Sequence, residues 1–147
     1  MSTPPKNTSL QEGFCLLVED QVSTCEFLTK VLNSTFPELK IIIKNNVKEA
    51  LNWIDQYHQT KNAPVFPLAL IDLGLPDGSG VELIRHLKKH EPNTMNVVVT
   101  IYDDDHYLFS ALSAGASGYL LKEHDKDLLG NILKRIEQGE PPLSPSI

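Results

Sequence analysis

The stretch Leu68-Ala-Leu-Ile-Asp72-Leu-Gly-Leu-Pro76-Asp-Gly78-Ser-Gly80 decides the fold of this chain. Four apolar residues run into one carboxylate, and turn formers follow at once. A short apolar run that stops at proline and glycine predicts a strand buried on both faces, because a buried helix needs a longer run. Asp72 therefore lies where a buried strand reaches the surface, a frequent place for function in open α/β sheets. On this stretch alone, a turn cap explains Asp72 equally well.

The rest of the chain repeats one rhythm of strand and helix. An apolar run predicts each strand, and apolar residues at helical spacing predict a helix after it; in the fourth helix these are Leu108, Ala111 and Leu112. Asn46 and Ser79 are predicted helix N-caps, Ser79 as part of a capping box with Glu82. The alternation predicts an α/β fold, a five-stranded parallel (βα)5 flavodoxin-like sheet in the order 2-1-3-4-5. The predicted strands are residues 14–18, 39–43, 68–71, 96–100 and 118–121.

Composition narrows the class of protein. The chain has 147 residues, enough for one domain, and a net charge of −6, which argues against a free-standing nucleic-acid binder. It has no apolar run of 18 residues, and its polar first dozen residues lack the core of a signal peptide, so we expect a cytoplasmic location. Cys15 and Cys25 are predicted core residues. Five scattered histidines are predicted to be solvated surface rather than metal ligands: His58, His86, His90, His106 and His124.

Chemically active side chains collect at the ends of the predicted strands. Glu19-Asp20, Asp72, Thr100 and Lys122 follow or end four different strands, whose carboxyl ends share one rim. Three carboxylates at one place repel one another unless a cation joins them, and Mg²⁺ prefers oxygen ligands that it shares with phosphate. A hydroxyl and an ammonium suit the remaining oxygens of a phosphoryl group. The set can therefore accept a phosphoryl group on Asp72.

These residues, with Leu75-Pro-Asp-Gly-Ser-Gly80 and Gly115-Ala-Ser-Gly-Tyr-Leu-Leu-Lys122, resemble the receiver domain (CheY-like) of two-component response regulators. The resemblance covers about residues 14–139. It implies that Asp72 is the phosphoacceptor and that Lys122 pairs with this aspartate or its phosphate. It also implies a Mg²⁺ site made by Glu19, Asp20, Asp72 and the main-chain carbonyl of Gly74. Thr100 would contact the phosphoryl group, and Tyr119 would be the switch aromatic that turns inward in response.

The tail narrows the resemblance further. The Gly115–Lys122 segment and the Pro-rich Gly139-Glu-Pro-Pro-Leu-Ser-Pro145 are similar to the NarL/LuxR-type subfamily of transcriptional regulators. We therefore expect a disordered tail over 1–12, a receiver over 13–139 and a linker over 140–147 that leads to a helix-turn-helix domain absent from this chain. The alternative is a stand-alone receiver with a loose tail. The implied partners are a sensor histidine kinase, a second copy of the chain after phosphorylation, and DNA only through the absent domain.

Three other functions compete with a phosphorylated switch that is not itself an enzyme. A haloacid-dehalogenase-type phosphatase needs its nucleophile after the first strand and a second aspartate two residues later, where this chain has Gly74. A flavodoxin needs a hydroxyl- and glycine-rich phosphate-binding loop after the first strand. In this chain Glu19-Asp20 follows that strand and would repel the phosphate. A phosphate-independent interaction module is supported only by Ile101, because receivers usually have a small residue there. That side chain either slows access of phosphodonors to Asp72 or tilts away and has little effect.

Overall fold

The chain alternates strands and helices throughout. The computed structural model describes residues 12–101, 105–122 and 126–135. The strands are β1 (Gly13–Val18), β2 (Leu39–Lys44), β3 (Leu68–Ile71), β4 (Gly74–Leu75), β5 (Gly78–Ser79), β6 (Met95–Thr100) and β7 (Gly118–Leu121). The helices are α1 (Val22–Thr35), α2 (Val47–Gln59), α3 (Gly80–His90), α4 (Asp105–Ala114) and α5 (Lys126–Lys134).

Five strands form one parallel sheet in the order β2-β1-β3-β6-β7. Because β6 and β7 are the fourth and fifth strands of this sheet along the chain, the predicted order 2-1-3-4-5 is confirmed. All four residues of the central strand β3 are buried, as its continuous apolar run predicted. The carboxyl ends of β1, β3, β6 and β7 consequently meet at one rim.

Alternate residues of each strand pack into two different apolar layers, because successive side chains of a strand point to opposite faces of the sheet. Leu16 and Val18 pack in one layer, under α2, α3 and α4. Cys15 and Leu17 pack in the other layer, under α1 and α5. Cys25 is also buried, so both cysteines are core residues as predicted. Helices therefore cover both faces of the sheet and leave the rim as its accessible edge.

The turn after β3 is more ordered than the sequence indicated. Residues 74–79 were predicted only as a turn, but Gly74 pairs with Ser79 in a small antiparallel β4–β5 hairpin. A Cβ atom on Gly80 would lie 2.2 Å from the main-chain oxygen of Asp72, so only glycine fits where α3 begins. The hairpin and this close approach fix the backbone around Asp72.

Two helix details differ from the sequence predictions. Ser79 is the N-cap of α3, but its hydroxyl accepts from the Val81 N–H at 3.1 Å, which differs from the predicted capping-box pattern with Glu82. Leu112 was predicted to face inward, yet it is 39% exposed, and Ala114 is buried in its place. The second prediction was wrong because the buried stripe of α4 includes Ala111 and Ala114 rather than Leu112.

The ends of the predicted domain organisation fall largely outside the described residues. Apart from Glu12, this concerns the tail over 1–12, the receiver end at 139 and the linker over 140–147, so these boundaries stay predictions. Among the described residues, none of the helices combines the length and the apolar character needed to cross a membrane.

Candidate functional site

The sheet brings four of the predicted site residues to one rim. Glu19 and Asp72 directly follow β1 and β3, Thr100 ends β6, and Lys122 directly follows β7. The Asp72 N–H donates to the Val18 carbonyl at 3.0 Å, and the Lys122 N–H donates to the Thr100 carbonyl at 2.8 Å. Strand pairing therefore continues up to the functional residues, and it sets where each side chain leaves the backbone.

An acidic cluster lies at the centre of this rim. Glu19, Asp20 and Asp72 each present one carboxylate oxygen, and these oxygens lie within 4.8 Å of one another. Glu19 and Asp72 are buried, whereas Asp20 is exposed. Three converging oxygens with one side open to solvent suit a hard divalent cation that keeps part of its water shell. The cluster can therefore hold a metal ion.

Lys122 lies between two of these acids. Its Nζ atom is 2.7 Å from Glu19 Oε1 and 3.3 Å from Asp72 Oδ2. The other carboxylate oxygen of Asp72 accepts a hydrogen bond from the Gly74 N–H at 3.3 Å. The predicted role of Gly74 concerned its carbonyl, so metal ligation by that carbonyl stays a prediction.

The electrostatics of the site leave it short of positive charge. Burial raises the pKa of Asp72, and the opposing attraction of Lys122 does not cancel this effect. Burial likewise raises the pKa of Glu19 despite its contact with the lysine. Burial alone would lower the pKa of Lys122, but hydrogen bonding to Glu19 and the charge of Asp72 raise it overall. The ammonium of Lys122 thus contacts two of the three clustered carboxylates, and a bound cation would balance the excess negative charge.

Three further predicted residues flank this centre. Thr100 is fully buried at the end of β6, and Tyr119 is fully buried within β7. The inward position of Tyr119 is the one that the resemblance assigns to the responding state. Ile101 is 70% exposed directly after Thr100. A large apolar side chain therefore stands in solvent next to the rim, and its effect on access to Asp72 stays a prediction.

The structure adds two positioning residues on the side of β1 and α1. The Asn45 side-chain amide donates to the Glu19 carbonyl at 3.0 Å, and the Cys25 thiol donates to the same oxygen at 3.4 Å. These contacts fix the backbone that presents the acids. Sequence reasoning missed them because Asn45 lies 26 residues from Glu19 along the chain. The sequence feature that could have indicated Asn45 is its position directly before Asn46, the predicted N-cap.

Asp77 was also missed, although it lies inside the turn quoted at the start. Its carboxylate accepts from the N–H groups of Val47 and Lys48 at 2.7 and 3.0 Å, at the N-terminus of α2. These hydrogen bonds lower the pKa of Asp77. The aspartate thus caps a different helix and ties the loop after Asp72 to α2.

Three of the five histidines that were predicted to be scattered over the surface lie close together in space. The rings of His58, His86 and His90 contact one another where α2 and α3 end. Sequence spacing placed them on separate helices, and only helix packing brings them together. His106 lies apart on α4, and His124 lies outside the described residues.

Comparison with known proteins decides the family. Residues 15–134 match the response regulator receiver domain. The chain belongs to this family. It is a two-component receiver domain related to transcriptional regulators of the NarL/LuxR type.

Individual relatives agree with this assignment. The chain is 29% identical over 133 residues to the transcriptional regulatory protein DegU of Brevibacillus brevis, covering 90% of this chain and 53% of DegU. It is 31% identical over 134 residues to YdfI of Bacillus subtilis, covering 90% of this chain and 58% of YdfI. A LuxR-family response regulator from Aurantimonas shares the fold, with a TM-score of 0.75, 24% identity and 92% of each chain covered. The chain thus spans a little over half the length of these two curated relatives.

Proposed function

We propose that Asp72 accepts a phosphoryl group from a sensor histidine kinase, with Mg²⁺ bound by Glu19, Asp20 and Asp72. The observation that carries this proposal is the position of Lys122 Nζ against Glu19 and Asp72, beside three converging carboxylates. An acyl phosphate forms at an aspartate only if the charge on the transferring group is neutralised. Lys122 would supply part of this neutralisation beside Asp72, and a cation held by the acidic cluster would supply the rest.

Each residue has a role in the proposed transfer. A carboxylate oxygen of Asp72 attacks phosphorus, the bond from phosphorus to the donor atom breaks, and the donor leaves with the electron pair. Lys122 neutralises charge on the phosphoryl oxygens, and the Thr100 hydroxyl binds one of them. Glu19, Asp20 and Asp72 would hold Mg²⁺, which would lower the negative charge that opposes attack. The aspartyl phosphate is later hydrolysed, so the chain is a signalling phosphoacceptor and not an enzyme with a separate substrate.

The direct test is labelling with acetyl phosphate and Mg²⁺. Wild type should gain 80 Da on one residue, about the mass of a phosphoryl group replacing a proton, and Asp72→Asn should gain none. Asp55→Asn is the matched control, because it removes an exposed aspartate that pairs with His86 on the helix surface. Labelling of Asp72→Asn at another residue would contradict the assignment of the phosphoacceptor.

An apolar cleft next to the acids supports a protein donor. The cleft, of about 700 Å³, includes Val22, Cys25 and Ile43 among its lining residues. Val22 is the first residue of α1, lies two residues after Asp20, and is 73% exposed. Exposed apolar groups beside a reactive site are typical of a docking surface for another protein. We propose that the helices of the kinase pack here and so direct their phosphohistidine towards Asp72.

Docking is separable from chemistry. Val22→Asp should slow transfer from a phosphorylated histidine-kinase domain that labels wild type, and should leave labelling by acetyl phosphate unchanged. Val65→Asp is the matched control, because Val65 is 54% exposed and its carbonyl pairs with Phe14 at the start of β1, away from the rim. If the kinase domain phosphorylates Val22→Asp and Val65→Asp at the same rate, the cleft is not the docking site of the kinase.

The output that we propose is transcriptional, and it would be carried by a DNA-binding domain in addition to the receiver. Phosphorylation would draw Thr100 towards the phosphate and stabilise the inward Tyr119, shifting a two-state equilibrium that favours a homodimer. A helix-turn-helix domain beyond this chain would then bind DNA in the cytoplasm. Light scattering with and without phosphorylation tests the dimer. A mass that stays monomeric at high concentration would refute this part and leave the phosphoacceptor assignment standing.

A further inference from the structure

Three histidine rings lie side by side where α2 and α3 end. The His86 and His90 ring centroids are 4.4 Å apart, and the His90 and His58 centroids are 5.4 Å apart. His86 and His90 are four residues apart on α3 and so share one face of that helix. His58 joins them from the last turn of α2. Two helices therefore contribute imidazoles to one small surface.

Two of these rings are oriented by carboxylates. His58 Nδ1 lies 2.7 Å from Glu91 Oε2, and His86 Nε2 lies 2.8 Å from Asp55 Oδ1. An ionised carboxylate can only accept, so in each neutral ring the contacted nitrogen carries the proton. The lone pair then resides on the opposite nitrogen, which is Nε2 of His58 and Nδ1 of His86. A carboxylate behind a histidine in this way is the usual outer support of a metal-bound imidazole.

We propose that His58, His86 and His90 form a binding site for a divalent transition metal ion of the zinc class. Zinc binds imidazole nitrogen at about 2.0–2.1 Å in tetrahedral geometry, which places two ligating rings with their centroids about 5 Å apart. The observed separations of 4.4 and 5.4 Å bracket that value. The three rings supply the protein ligands and water takes the fourth position. Glu91 and Asp55 orient the rings without ligating.

Binding of one ion by all three rings requires their side chains to rotate. Among the described residues, only Glu19, Asp20 and Asp72 already bring three ligand atoms within 4.8 Å of one another. The histidines can rotate, because the side chains of His58 and His86 are 50% and 25% exposed. Imidazole is also a better ligand for zinc than for Mg²⁺, so the two sites select different ions.

The site would be separate from the phosphorylation rim. His90 is the last residue of α3, whereas Gly80, the first, packs against Asp72. An 11-residue helix is about 16 Å long. The histidines therefore lie near the end of the sheet where the strands begin, away from the rim. A metal ion here would link the ends of α2 and α3 without entering the acidic cluster.

Zinc titration of the full chain in excess Mg²⁺ tests the proposal, with a chromogenic chelator as competitor. One equivalent should bind to wild type, and His90→Ala should weaken binding by about tenfold or more, because it removes the ring that contacts both others. His106→Ala is the matched control, since His106 lies on α4 with its ring against Tyr107. Circular dichroism checks that each variant is folded.

A second measurement locates the ion. In proton NMR spectra, the ring signals of His58, His86 and His90 should shift together on addition of zinc, and those of His106 should not. The proposal is overturned if zinc does not bind, if His90→Ala binds as tightly as wild type, or if Asp72→Asn abolishes binding. The last outcome would place the zinc in the acidic cluster.

Discussion

Replacing Asp72 with asparagine should stabilise the metal-free protein while it removes the phosphoacceptor. At an effective dielectric constant of 20, Lys122 at 3.3 Å attracts the Asp72 carboxylate by about 5 kcal/mol. Glu19, within 4.8 Å, repels it by at least about 3.5 kcal/mol, and exposed Asp20 adds roughly 1 kcal/mol when screened by water. These terms nearly cancel, so the burial of Asp72, only 7% exposed, decides the sign. We expect Asp72→Asn to be more stable by about 2 kcal/mol.

Thermal unfolding at pH 7 in EDTA measures this effect. A gain of 2 kcal/mol corresponds to a rise in Tm of about 6 °C for a chain of this size. Mg²⁺ should then act in the opposite direction, because wild type keeps the full set of three carboxylates. At a tenfold excess of Mg²⁺ over its Kd, wild type gains about 1.4 kcal/mol, and most of the difference should disappear.

The control is again Asp55→Asn, whose carboxylate is exposed and whose replacement should change Tm little in either buffer. If Asp72→Asn were less stable than wild type in EDTA, the reasoning on desolvation would be refuted. If Mg²⁺ raised the Tm of both proteins equally, the ion would bind somewhere other than the acidic cluster.

Three further predictions concern the surroundings of the site. Gly80→Ala should lower the free energy of unfolding by about 1–3 kcal/mol in denaturant titrations, because its Cβ would meet the Asp72 carbonyl; a neutral result would show that α3 can move away. Because the pKa of Asp77 is lowered on folding, its stabilising contribution is present at neutral pH and is lost as pH falls through the folded pKa. Wild type should thus exceed Asp77→Asn in stability at pH 7, with a gap that shrinks below about pH 4, and a constant gap would disprove ionic capping. Ile101→Ala should be labelled by acetyl phosphate faster than wild type, and equal rates would show that Ile101 does not restrict access.

The strands were predictable because buried parallel strands have a distinct pattern, and their order followed from the flavodoxin-like arrangement that the strand–helix alternation favours. The run from Leu68 to Ile71 is apolar at every position, as expected for a strand covered on both faces. Glu19, Asp72, Thr100 and Lys122 were predicted to converge for a topological reason, since parallel strands end at a common rim. Neither inference needed knowledge of side-chain packing.

What could not be predicted depends on contacts between elements that are distant in sequence. Asp77 caps a helix about 30 residues earlier in the chain, and turn propensity alone cannot identify its partner. The histidines contact one another only through the packing of α2 on α3. Leu112 was assigned inward from helical spacing, but Ala114 is buried and Leu112 is 39% exposed. Spacing defines a helical stripe, and tertiary packing selects its width and direction.

Glu19 joins the two edges of the sheet, although it follows an inner strand. Its carbonyl accepts from Asn45 and Cys25, and its carboxylate accepts from the Gln21 N–H at 3.1 Å. The same carboxylate lies 2.7 Å from Lys122 Nζ. Asn45 directly follows β2 and Lys122 directly follows β7, which are the two edge strands of the sheet. A displacement of Glu19 would therefore change contacts at both edges at once.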